Sequence, residues 1–94
     1  MTKSDVASNL SEITGLSQKE AVQAVEVFLE TVKNGLRNGD KVCLVGFGTF
    51  YVKEREGRTG RNPRTGQVIQ IPPKRLAAFK PGKVFREMVN DLPD

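Results

Sequence analysis

The stretch from Lys53 to Arg75 reads KEREGRTGRNPRTGQVIQIPPKR, and its pattern decides how the remaining residues must fold. At its centre Gly60-Arg61-Asn62-Pro63-Arg64-Thr65-Gly66 sets a proline among turn formers, with arginines on both sides. The flanking runs favour strand: Gly48 to Arg55 is rich in Thr, Phe, Tyr and Val, and Val68 to Ile71 holds three β-branched residues in four positions. Together they predict a long β-hairpin, the first run against the second, with Asn62-Pro63 near its tip. Its outer half offers almost nothing apolar to bury. It therefore projects into solvent and presents Lys53, Arg55, Arg58, Arg61 and Arg64 to a polyanion, with DNA the natural candidate.

Charge is concentrated on this half of the chain. The formal net charge is +4, yet Lys53 to Arg86 carries ten cations against Glu54 and Glu56 alone. From Met1 to Asp40 the balance reverses, with Lys3, Lys19, Lys33 and Arg37 against six carboxylates. The asymmetry points to a dedicated basic surface rather than a uniformly solvated one.

A chain of 94 residues makes one small domain. Once the arm is set aside, roughly seventy residues remain to build a core, below the comfortable size for an independent monomer, so oligomerisation is expected. Cys43 is the single cysteine and histidine is absent, which excludes an internal disulfide, the common zinc frameworks and an activated nucleophile. No catalytic residue, metal or cofactor is expected. The start MTKSDV has no apolar run behind a basic patch, and no later segment is apolar enough to span a bilayer, so a reducing, cytoplasmic setting fits.

Thr2 and Asp5 have capping-box spacing, and Val6, Leu10 and Ile13 follow at helical intervals up to Gly15, predicting a helix over 3–14. Ser17 and Glu20 repeat the start signal. Val22, Val25, Phe28, Leu29, Val32 and Leu36 then mark one apolar stripe, predicting a second helix over 18–37 and hence a helical hairpin. A helix-turn-helix reading is disfavoured because the second helix carries Glu20, Glu26 and Glu30, which phosphates would repel.

Beyond Gly39-Asp40 the period changes to two. Lys41 to Val45 reads as a strand, Gly46-Phe47-Gly48 breaks it, and Thr49 to Val52 begins the next. Phe47, Phe50 and Phe79 are the large apolar groups for a core placed at a subunit interface. Cys43 is expected as a buried, inert strand residue. Pro72-Pro73 ends the return strand, and Pro81 suits entry into a terminal helix over 83–90 with Val84, Phe85, Met88 and Val89 buried. Lys80, Lys83 and Arg86 lie near that helix's N-terminus, where the dipole disfavours cations, so an anion there would explain them.

The order helix, helix, short strand, GFGTF (46–50), basic arm with GRNPRTG (60–66), FKPGK (79–83) and short helix resembles the bacterial HU and integration host factor family over essentially the whole chain. The resemblance implies an α+β fold: an N-terminal helical hairpin (1–40), a three-stranded antiparallel sheet (41–52 and 68–80) extended into a β-ribbon arm (53–75), and a C-terminal helix and tail (81–94). It also implies an intertwined dimer of identical or related subunits, whose arms embrace double-stranded DNA from the minor-groove side. Such a protein is histone-like and sits in the bacterial nucleoid.

Groove width alone would send a two-stranded ribbon into the major groove, about 12 Å wide against about 6 Å for the minor. Pro63 shifts that balance, because a rigid ring without an N–H can wedge between base pairs and kink the duplex by about 20–90°. Arg58, Arg61 and Pro63 are the arm positions that the family pattern implicates most strongly. Asn62 orders the tip, while Lys3, Arg75, Lys80, Lys83 and Arg86 hold flanking DNA against the body. Some integration host factor subunits place an arginine directly before GFG; Val45 stands there in this chain, which favours general binding, with bent, nicked or gapped duplex preferred, over strict site recognition. A sequence-selective bending subunit, an RNA-binding module and a protein-docking hairpin are the other readings.

Overall fold

The computed structural model describes Met1 to Asp91; the tail expected over 92–94 lies outside the described residues. It divides into two compact units, Met1–Asn38 and the remainder from Gly39 onward.

The first unit is the helical hairpin, α1 (Lys3–Thr14) and α2 (Gln18–Arg37). Both starts are set by the predicted capping boxes. The Thr2 hydroxyl accepts from the Asp5 N–H, and the Asp5 carboxylate accepts from the Thr2 N–H at 2.8 Å. Ser17 and Glu20 repeat the exchange, at 3.1 Å in each direction. Backbone hydrogen bonding, from Thr2 and Ser17 respectively and reinforced by their hydroxyls, holds the Asp5 and Glu20 carboxyls below the usual carboxylate range. α1 stops at Gly15, whose φ of 81° only glycine adopts without strain. In the connection, the Ser11 hydroxyl donates to the Leu16 carbonyl at 2.6 Å. The helices pack against each other, with Ala7 and Ala21 fully buried. Phe28 and Leu29, on the predicted stripe, stay well exposed.

The second unit begins with β1 (Val42–Leu44), β2 (Gly48–Arg55) and β5 (Lys74–Pro81), an antiparallel sheet in the order β1-β2-β5. A separate two-stranded ribbon is formed by β3 (Arg58–Arg61) and β4 (Val68–Ile71), and α3 (Lys83–Asn90) closes the unit. The strand pairing corrects the expected hairpin. β2 pairs not with Val68–Ile71 but with β5, from Gly48 opposite Pro81 to Arg55 opposite Lys74, while Val68–Ile71 pairs with Arg58–Arg61. The cause is local. Pro72 and Pro73 have no N–H to give a ladder, so pairing lapses across from Glu56-Gly57 and resumes on either side.

The sheet's inner face carries an aromatic cluster. The Phe47 ring lies 5.0 Å from Phe79 and 4.9 Å from Phe85, and Phe50 lies 4.8 Å from Phe79. Gly48 makes this approach possible: a Cβ there would sit 2.5 Å from the Lys80 carbonyl and 2.6 Å from the Phe79 ring. The cluster is nevertheless not sealed, since Phe47 is 40% and Phe79 36% exposed.

Three further expectations are corrected. Cys43 is exposed rather than buried, because β1 is an edge strand whose Val42 and Leu44 take the half-buried positions and turn Cys43 to the other face. On α3 only Phe85 is partly covered; Val84, Met88 and Val89 are exposed, Met88 by 72%. Finally, Pro81 ends β5 and Gly82 is the residue that caps α3, with its N–H donating to the Phe47 carbonyl at 2.9 Å.

Candidate nucleic-acid interface

Among the described residues, the ribbon β3–β4 packs extensively against no other element. Its register sets Arg58 opposite Ile71, Thr59 opposite Gln70, Gly60 opposite Ile69 and Arg61 opposite Val68. Strand alternation therefore places Arg58 and Arg61 on opposite faces of the ribbon. The Gly60 position lies against the side chains of Ile69 and Ile71, so apolar groups occupy the Arg58 face, while Val68 accompanies Arg61.

At the tip, four hydrogen bonds close the loop 62–67. The Asn62 N–H donates to the Gln67 carbonyl and the Gly66 N–H to the Asn62 carbonyl, both at 2.8 Å. The Asn62 side-chain oxygen accepts from the Arg64 N–H at 2.9 Å, and the Thr65 hydroxyl accepts from the Gln67 N–H at 3.2 Å. Gly66 takes φ 73° to complete the reversal. Pro63 is exposed at the apex.

Lys53, Arg55, Arg58, Arg61 and Arg64 are all exposed, and among the described residues none lies within 4 Å of a carboxylate. Arg75 differs, since its Nε sits 3.9 Å from Glu54. Lys3 also has a partner, Glu26, at 3.6 Å within the helical unit. Lys80, Lys83 and Arg86 are exposed around the start of α3, whose first turn holds no acidic residue and whose cap supplies no side-chain acceptor.

One residue was given no role from the sequence, and another was given the wrong neighbours. Lys74 stands directly opposite Arg55 at the arm's root, a like-charge cross-strand pair that costs stability unless an external anion intervenes. Only the strand register reveals it. Phe85 joins the aromatic cluster from α3; the helical pattern marked it for burial, and it is half-buried, but the pattern did not show it as the neighbour of Phe47.

Residues 1–90 match the family model described as "Bacterial DNA-binding protein". The chain belongs to this bacterial DNA-binding protein family. Among its relatives, DNA-binding protein HU of Geobacillus stearothermophilus is 45% identical over 95% of this chain and 99% of its own length. Integration host factor subunit alpha of Aliivibrio salmonicida is 46% identical over 99% of this chain and 95% of its own. The fold is similar to that in an Anabaena HU–DNA cocrystal structure, with a TM-score of 0.86 and 40% identity over 98% of this chain and all of that one. The α+β fold read from the sequence is thus the family's fold. Identity to the HU and integration host factor branches is equal within a point, so overall similarity does not separate them.

Proposed function

We propose that this protein is an architectural, nucleoid-associated DNA-bending protein of the cytoplasm. It acts as a dimer whose two arms enter the minor groove of double-stranded DNA, where Pro63 wedges between base pairs. The observation that carries the reading is the ribbon itself: a free-standing two-stranded arm with guanidinium groups on both faces, no carboxylate paired to them among the described residues, and a proline at its apex. Cations on opposite faces suit a narrow groove, where phosphate chains run along both walls at once. Arg55, Arg58, Arg61 and Arg64, joined by Lys53 and Lys74, take the arm's phosphates. Asn62 orders the tip. Lys80, Lys83 and Arg86 hold flanking DNA at the free amides of α3, and Lys3 and Arg75 join them when DNA phosphates replace their carboxylate partners.

Exposure supports the dimer. Phe47, Phe79, Val84, Met88 and Val89, all in the second unit, are exposed apolar groups of the kind an obligate partner buries, so the whole chain functions as one domain only within a dimer. Val45, fully exposed in the turn between β1 and β2, brings no charge to that turn, which supports general over site-selective binding.

The test is fluorescence-measured bending of an end-labelled duplex at saturating protein. Parent protein should bend it, and Pro63→Ala should reduce the bend more than the affinity. An unchanged bend refutes the wedge. Competition among gapped duplex, intact duplex and structured RNA separates this reading from an RNA-binding module, which would favour the RNA.

A further inference from the structure

We propose that Thr65, through its side-chain hydroxyl, is a positioning residue for Pro63, holding the arm's tip in the shape that drives the ring into the base stack. The inference rests on the wedge reading above and names a group that the wedge depends on without touching the bases itself.

A wedge is useful only if its support is stiff. Proline fixes its own φ, but the ring's direction relative to the ribbon depends on the residues on either side. On the entering side Asn62 is restricted to extended backbone by the proline that follows, and its side-chain oxygen is held by the Arg64 N–H at 2.9 Å. On the leaving side the Gly66 N–H is tied back to the Asn62 carbonyl at 2.8 Å, but no proline restricts the backbone there. There the chain must pass through Gly66 at φ 73°, the loop's freest residue, before joining β4. The Thr65 hydroxyl spans that residue by accepting from the Gln67 N–H at 3.2 Å. The Gln67 carbonyl in turn accepts from the Asn62 N–H at 2.8 Å, so the residue fixed by Thr65 anchors the one that precedes Pro63. Thr65 is exposed and packs into no core, which leaves loop closure as the role its hydroxyl performs. A tip ordered in advance does not lose its freedom at the moment of insertion, when the cost would fall on bending.

The experiment compares Thr65→Val, which keeps the shape and removes the acceptor, with Thr65→Ser, which keeps the acceptor, and with Pro63→Ala. Two DNAs are used: an intact duplex and the same duplex with single-nucleotide gaps at the kink positions, where unstacking is already done. Thr65→Val should lower the bent fraction of intact duplex about two- to tenfold, the worth of one neutral hydrogen bond. It should leave the gapped duplex bound and bent as by the parent and speed hydrogen exchange at the Gln67 amide of the free protein. Thr65→Ser should restore the bent fraction and the slow exchange at Gln67. If Pro63→Ala lowers the bend while Thr65→Val does not, Thr65 has no positioning role and the wedge stands. If Thr65→Val weakens both DNAs equally, Thr65 is a DNA contact and the proposal fails. If Pro63→Ala itself leaves the bend unchanged, the wedge falls and the role of Thr65 falls with it.

Discussion

Replacing Arg58 and Arg61 together by alanine tests the arm most directly, because the expected change has a slope as well as a size. Each subunit offers four arm arginines, Arg55, Arg58, Arg61 and Arg64, with no carboxylate within 4 Å among the described residues. A dimer therefore brings eight, and if each neutralises one phosphate, these arginines alone contribute about −7 to the slope of log K against log salt. Between 50 and 200 mM salt that is a loss of about 10⁴-fold in affinity. The double variant removes four of these contacts per dimer, so their contribution should shrink to about −3.6 and the loss it causes over the same range to about 10²-fold. Lys53, Lys74, Lys80, Lys83 and Arg86 add equally to parent and variant, so the difference between slopes isolates Arg58 and Arg61. Titrating a labelled duplex by fluorescence anisotropy at four or five salt concentrations gives both values. A variant that binds more weakly at every salt but with the parent's slope would refute the reasoning, since the arginines would then act other than by neutralising phosphates.

Other variants probe the body. Gly48→Ala should destabilise the fold by about 1–3 kcal/mol in chemical denaturation, because its Cβ would meet the Lys80 backbone and the Phe79 ring, neither of which is free to move aside. Phe85→Ala should cost about 3 kcal/mol and raise the monomer fraction seen by light scattering at low concentration, by emptying the α3 side of the aromatic cluster. Stability should also fall with acid. Asp5 and Glu20 are held below their ordinary range when folded, so below about pH 5 the unfolded chain binds protons that the folded one resists. The support they give is present above their unfolded pKa values and disappears as pH falls through the folded ones. Asp5→Asn with Glu20→Gln should flatten the acid limb of the thermal midpoint against pH.

Where sequence signals are local and chemical, they transfer directly into structure. The bounds of α1 and α2 follow from two capping boxes and a glycine, since a side chain three residues away is all that is needed to fix a helix start. The strands Gly48–Arg55 and Val68–Ile71 were equally legible as strands. Their partners were not, because pairing depends on what the return chain can donate. β5 reads Lys74-Arg75-Leu76-Ala77-Ala78-Phe79-Lys80-Pro81, whose two alanines and terminal proline disguise a strand that exists because β2 lies beside it. Cys43 and the apolar side of α3 were misplaced for a related reason. Alternation and helical spacing tell which residues share a face, but not whether anything in the same chain covers it. The arginines of the arm were visible at once, since charge without counter-charge survives any change of register. Lys74 was not, because its significance lies in facing Arg55.

The lapse in pairing at Glu56-Gly57 and Pro72-Pro73 has a mechanical consequence. A continuous ladder would transmit every tilt of the arm into the aromatic body, so that following a new DNA path would disturb the fold. Here the ladder is interrupted, so a tilt taken up at Glu56 and Gly57, opposite two prolines whose φ is fixed, would break no ladder bond and would leave the ribbon's register unchanged. Stiff segments joined at an unpaired step would let the arm follow duplexes of differing curvature without disturbing the aromatic body.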